Sequence, residues 1–154
     1  MKRIFGFLLA LLAVVTFAVP IAHAEPQTVL LSKTGQLSEI PAKTAEQVVG
    51  FNVLERVLGK NYCQTYYVAN PPLVGITQPV ENPCPLGIQD IPEYQVDYKK
   101  AVSLFHQTNC GDAFESISLA WPLTPQVTEP IWKLRSNLDA TVIIGADTGK
   151  VDCK

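Results

Sequence analysis

The fold is indicated most clearly by residues 97–121, which read DYKKAVSLFHQTNCGDAFESISLAW. Asp97 is a typical helix N-cap residue, and the apolar residues between Tyr98 and Phe105 recur at helical spacing. Residues 109–112, Asn-Cys-Gly-Asp, are expected to end this helix. Between Phe114 and Trp121 apolar and polar residues alternate, which predicts a strand with one buried face.

Two more strands are predicted after this one. Residues 130–136 and 140–146 alternate or are continuously apolar, and residues 147–150, Asp-Thr-Gly-Lys, have the composition of a turn. A helix followed by three successive strands predicts an α+β fold, in which the helix packs on a small antiparallel sheet.

The helix and these strands resemble the PepSY domain over residues 97–152, through the tryptophan of the middle strand and the Thr-Gly turn after the last one. The acidic residue that PepSY domains carry four positions before the turn glycine falls at Gly145 here, and the acid stands at Asp147. The resemblance implies a cystatin-like form and modulation of another secreted protein, as an inhibitor or folding aid of a peptidase. The similar segments are residues 98–102, 117–119, 130–134 and 141–151.

The residues before this region predict a strand–helix–strand unit. Residues 27–37 are typical of a short strand that ends in a Lys33-Thr34-Gly35 turn. Residues 44–59 predict a helix, because Thr44 and Gln47 have capping-box spacing and valines and leucines follow at helical intervals. Residues 62–68 are rich in β-forming side chains and predict a second strand.

A proline-rich loop is expected between these two halves. Residues 70–92 contain six of the chain's twelve prolines, which rules out a helix or an internal strand there. Cys84 in the middle favours a segment tied down onto the domain, and the alternative is a polyproline segment offered to a partner.

Residues 1–24 have the three parts of a secretory signal peptide. Lys2 and Arg3 precede an apolar run, and residues 22–24, Ala-His-Ala, form a cleavage site before Glu25. Without this segment the apolar fraction falls from 47% to about 42%, which is ordinary for a globular domain, and the formal charge becomes −4. We therefore expect an exported protein, periplasmic or secreted, with one domain over residues 25–154 and no membrane span after cleavage.

The four cysteines, Cys63, Cys84, Cys110 and Cys153, are expected to form structural disulfides in an oxidising compartment. Their spacing contains no C-x-x-C, so it does not indicate a zinc or thioredoxin-type site. Short loop closure favours Cys63–Cys84 and Cys110–Cys153. The second pair would lie at opposite ends of a simple three-stranded meander, so either the chain doubles back after Gly149 or the pairs cross between the halves.

No group of residues in the mature chain has the pattern of a catalytic, metal or cofactor site. His106 is the only histidine after residue 24, the acidic residues are scattered, and there is no phosphate-binding glycine loop or basic patch. We therefore expect a non-enzymatic protein that binds another exported protein and no nucleic acid. The alternatives are a small secreted hydrolase or redox protein with a site assembled from scattered residues, and a structural component of the envelope.

Trp121 and Trp132 are the candidate partner-binding residues, because they lie on adjacent predicted strands. Two interpretations are open for them. They form the core beneath the helix, or they form an exposed aromatic pair on the open face of the sheet, where tryptophan is typical of a binding hot spot.

Overall fold

The computed structural model describes residues 27–154, and the predicted signal peptide lies outside these residues. The described chain forms one eight-stranded sheet in the order β4-β3-β2-β1-β5-β6-β7-β8, and every neighbouring pair is antiparallel. None of the helices within these residues is long and apolar enough to cross a membrane. The elements are β1 (Thr28–Leu37), β2 (Val48–Val57), β3 (Cys63–Ala69), β4 (Val80–Asn82), α1 (Tyr98–Phe105), β5 (Phe114–Ala120), β6 (Ile131–Ser136), β7 (Thr141–Gly145) and β8 (Val151–Cys153).

The predicted fold class is wrong, because residues 27–154 are β-rich and the one α-helix among them packs on a large sheet. The helix expected over residues 44–59 is the strand β2, which pairs with β1 on one side and β3 on the other. Thr44 and Gln47 do form the capping box, but it closes only a 3-10 turn, Ala45–Gln47. The N-terminal unit is therefore strand–strand–strand and not strand–helix–strand.

Gly50 and the β-branched residues around it explain this outcome. The valines of β2 favour a pleated strand once two neighbouring strands are there to pair with it. The Tyr67 ring lies so close to Gly50 that a Cβ at this position would collide with it, and the Tyr67 hydroxyl donates to the Val49 carbonyl oxygen at 3.1 Å. Tertiary pairing thus outweighs the helical spacing of the valines and leucines.

The turn expected at Lys33-Thr34-Gly35 is also wrong, since these residues continue β1. They pair with β2 on one side, and Lys33 and Thr34 pair with β5 on the other. Gly35 is needed there because the Ile117 side chain occupies the space that a Cβ would take. The glycine therefore serves close packing and not a change of chain direction.

The predicted helix and the three strands after it are confirmed. Asp97 caps α1, and its Oδ1 accepts a hydrogen bond from the Lys100 backbone N–H at 2.8 Å. The buried face of α1, formed by Ala101, Val102 and Phe105, packs against β6 and β7. The helix thus covers the β5–β7 half of one sheet face and leaves the β1–β3 half of that face to other residues.

A fourth C-terminal strand, β8, explains the disulfides. Gly149 has a positive φ of 68° and reverses the chain, so that Cys153 lies beside Val142 of β7. The chain doubles back, and the bonds are Cys63–Cys84 and Cys110–Cys153. The first bond ties the proline-rich loop to β3.

Candidate functional site

A groove of about 410 Å³ lies on the half of the sheet face that α1 does not cover. Its base is formed by β1, β2 and β3, and one wall is formed by the segment that leads into α1. The Val96 backbone N–H holds this segment to the Ala146 carbonyl oxygen at 2.7 Å. The lining residues are Leu30, Lys33, Phe51, Val53, Glu55, Tyr66, Val68, Asn70, Tyr94, Asp97, Tyr98 and Trp132.

Aromatic side chains make up much of the groove wall. The Phe51 ring centroid lies 5.3 Å from that of Tyr98 and 6.1 Å from that of Trp132, and the Tyr94 and Trp132 centroids are 6.2 Å apart. Trp132 is fixed because its indole N–H donates to the Val96 carbonyl oxygen at 2.7 Å. These contacts preorganise a rigid surface for an apolar or aromatic group.

Lys33 is the only charged residue in a row of paired residues that crosses the sheet face. Directly paired residues of neighbouring strands face the same side, so the row can be read from the strand register. Its side chain is half-buried, and its ammonium group donates to the Tyr94 hydroxyl at 3.0 Å and lies 5.6 Å from the centre of that ring. The row is Tyr66, Val53, Lys33, Leu119, Trp132, Ile144 and Val151.

A tyrosine–glutamate pair lies on the strand side of the groove. The Tyr66 hydroxyl donates to Glu55 Oε1 at 2.7 Å, and the Gln64 amide donates to Glu55 Oε2 at 3.2 Å. Burial, followed by the Glu55 carboxylate, raises the pKa of Tyr66, and burial also raises the pKa of Tyr98. Both hydroxyls therefore stay protonated over the physiological pH range.

The two predicted partner-binding tryptophans lie in different surroundings. Trp132 is 1% exposed and belongs to the core, and only its buried ring borders the groove. Trp121 is half-buried, and its indole N–H donates to the Val127 carbonyl oxygen at 3.2 Å. It lines a separate shallow hollow of about 550 Å³ with Leu123 and Pro125. The core interpretation therefore describes Trp132, and a partner-binding role for Trp121 stays a prediction.

The groove residues that sequence reasoning missed are chiefly Lys33, Tyr66 and Tyr94. The sequence predicts a turn at Lys33. Strict alternation along β1 would not give the face of this side chain either, because a bulge at Leu31 shifts the register between Leu30 and Ser32. Tyr94 follows the proline-rich loop and is 61 residues from Lys33 in the chain, so no local pattern joins the two. The aromatic run within residues 62–68 was the one available signal, and it indicates a strand without indicating its partner.

The Glu129 carboxylate supports the turn after β7. Glu129 Oε2 accepts hydrogen bonds from the backbone N–H groups of Asp147 and Thr148 at 2.8 and 2.9 Å, and Oε1 accepts one from the Thr148 hydroxyl at 2.7 Å. Burial works to raise the pKa of Glu129, but these hydrogen bonds outweigh it and the pKa lies below its usual value. A Cβ at Gly145 would collide with this carboxylate.

Among residues 27–154 no three His, Cys, Asp or Glu side chains lie together as a metal site would require. His106 Nε2 lies 2.6 Å from the Lys43 carbonyl oxygen, a contact that ties α1 to the segment before β2. Both cysteine pairs are disulfide-bonded. What the described residues do offer is an aromatic groove with one ammonium group and two hydrogen-bonded carboxylates, which is a binding geometry.

Comparison of the chain with known protein families, with curated proteins and with solved structures found no match in any of the three.

Proposed function

We propose that the protein is an exported, non-enzymatic binding protein that recognises a segment of another exported protein through the groove between β1–β3 and the Tyr94–Tyr98 segment. The observation that carries this proposal is the uncovered half of the sheet face. Its aromatic side chains are held in place by contacts with the core, yet they line a space of about 410 Å³ that no described residue fills.

The size and chemistry of the groove suit one anchoring side chain of a partner. Ligand pockets in proteins commonly measure about 300–1,000 Å³ and combine apolar walls with a few polar groups. Protein interfaces likewise draw most of their affinity from a few aromatic or aliphatic anchors that enter such pockets. Phe51, Val53 and Val68 supply the apolar surface here, and Lys33 and Glu55 supply the polar groups.

Export is supported by the predicted signal peptide together with the two disulfides, which are typical of oxidising compartments. The suggestion that the partner is a peptidase, inhibited or helped to fold, rests on the resemblance to the PepSY domain and stays a prediction.

To test this proposal, peptides are selected from a random library on the immobilised secreted protein. Each selected peptide is then added in increasing amounts to the Trp121→Phe variant, and its affinity is measured from the tryptophan emission. This variant leaves Trp132 as the only tryptophan, so its emission reports events at the groove. Val68→Phe then places an aromatic ring in the groove. Thr65→Phe makes a matched change on the opposite face of β3, because residues 65 and 68 are an odd number of positions apart. Thermal melts are used to check that both variants are folded.

Groove recognition predicts that selected peptides change the Trp132 emission, lose at least about tenfold in affinity on Val68→Phe, and bind Thr65→Phe as they bind the parent. Peptides that bind the Val68→Phe variant unchanged, or a library that yields no binder, would contradict the proposal. Steady cleavage of a selected peptide would favour the hydrolase alternative instead.

A further inference from the structure

Lys33 and Tyr94 carry donor protons at the groove for which the described residues supply no acceptor. An ammonium group carries three protons, and Lys33 uses one of them on the Tyr94 oxygen at 3.0 Å. Because this oxygen accepts from Lys33, the Tyr94 O–H proton points elsewhere. Within residues 27–154 no acceptor takes it, and no carboxylate lies within 4.0 Å of the Lys33 ammonium.

We propose that the Lys33–Tyr94 pair binds the terminal carboxylate of a peptide chain, whose last side chain, aromatic or large and aliphatic, packs on Phe51 and Tyr98. This inference rests on the proposed function and names the part of the partner that enters the groove. The ligand class is a protein or peptide carboxyl terminus.

The placement of Lys33 supports a binding role over a structural one. It stands in the middle of a row whose other members are apolar or aromatic, where a β-branched residue would pack better. The half-buried Lys33 side chain has one hydrogen-bond partner among the described residues, and that partner is the neutral Tyr94 hydroxyl. Departures of this kind from the local pattern are typical of functional positions.

The charges of the groove favour a single carboxylate. The other charged residues in it are Glu55 and Asp97, and both accept hydrogen bonds from within the protein. Glu55 accepts from Tyr66 and Gln64, and Asp97 caps α1. These two negative charges oppose a doubly charged anion such as a phosphate group, whereas one carboxylate neutralises Lys33 alone.

The experiment measures the affinity of the N-acetylated tetrapeptide Ala-Ala-Ala-Phe, with a free carboxylate and as its amide, by the emission of Trp132 in the Trp121→Phe background. Lys33→Met removes the ammonium group. Lys133→Met is the matched control, because Lys133 follows Trp132 on β6 and faces the other side of the sheet. Urea unfolding is used to check that each variant is folded.

The proposal predicts that the free carboxylate binds at least about tenfold more tightly than the amide, that Lys33→Met removes this preference, and that Lys133→Met keeps it. Equal binding of acid and amide, with a change in Trp132 emission, would overturn the carboxylate proposal and leave groove recognition standing. If neither form bound while library peptides still did, the carboxyl terminus would again be the wrong ligand. Binding of 3-phenylpropanoate as tight as that of the peptide would make a small acid, and not a chain terminus, the ligand.

Discussion

The Glu129 carboxylate is predicted to stabilise the C-terminal hairpin in a pH-dependent way. Its two oxygens accept three hydrogen bonds from the turn after β7. Glu129→Ala removes all three and leaves two backbone N–H groups to water. Since a hydrogen bond to a charged group contributes about 1.5–3 kcal/mol and the turn is exposed, we expect the free energy of unfolding to fall by about 2–3 kcal/mol in total.

Glu129→Gln is a milder change. Its amide oxygen can still accept from the Asp147 and Thr148 backbone, and its amide nitrogen can donate to the Thr148 hydroxyl. Only the charge is lost, so the expected decrease is about 1 kcal/mol at neutral pH. A control, Glu115→Gln, removes an exposed carboxylate 3.5 Å from Arg135 and should cost less than about 0.5 kcal/mol.

The pH dependence follows from the direction of the pKa shift. The pKa of Glu129 is lower in the folded protein than in the unfolded chain, so the carboxylate stabilises the fold at pH values above the unfolded pKa. This stabilisation is lost as the pH falls through the folded pKa. The difference between the parent protein and Glu129→Gln should therefore be largest near pH 7 and shrink towards pH 2.5.

Urea unfolding of the disulfide-intact protein at these two pH values measures the difference directly. A Glu129→Ala variant as stable as the parent would refute the role of the three hydrogen bonds. A parent-to-Glu129→Gln difference that is equal at both pH values would refute the pKa argument.

Three further predictions concern the sheet and its core. Gly50→Ala forces a methyl group against the Tyr67 ring and the Val68 carbonyl oxygen, and it should lower the free energy of unfolding by about 1–3 kcal/mol. Gly75→Ala, in open space, should leave this free energy nearly unchanged. Equal effects of the two variants in urea unfolding would contradict the prediction. Removing the Cys110–Cys153 disulfide, whose cysteines are 43 residues apart, should lower the free energy of unfolding by about 0.6 kcal/mol more than removing Cys63–Cys84, whose cysteines are 21 apart. Urea unfolding measures both losses, and the opposite order would count against chain entropy as their cause. In single-tryptophan variants acrylamide should quench Trp121 clearly and Trp132 weakly, since Trp132 is 1% exposed; strong quenching of Trp132 would place it outside the core.

The C-terminal half was predictable because its signals are local. Asp97 caps the helix as its position indicates, and the alternation of residues 114–121 fits a sheet with one buried face. The strand β8 was missed because it has only three residues, too few for a periodic pattern. The doubling back that it requires was one of the two arrangements that the cysteine spacing left open.

The N-terminal half and the groove depend on contacts that no short segment contains. Residues 48–57 fit both a helical and a strand pattern, and the pairing with β1 and β3 decides between them. The β-bulge at Leu31 decides which face Lys33 occupies. The groove then forms only when Tyr94, beyond the proline-rich loop, reaches Lys33. The sequence therefore gives the residues of the groove but does not predict that they lie together.

The location of the binding surface is tested most directly by NMR. Methyl and amide shifts of the labelled protein are recorded as a library-selected peptide is added. Binding in the groove predicts that the largest changes occur at Leu30, Val53 and Val68, which line it. Changes confined to the Trp121 hollow or to the exposed residues 71–80 would contradict it, because they would place recognition on a surface outside the groove.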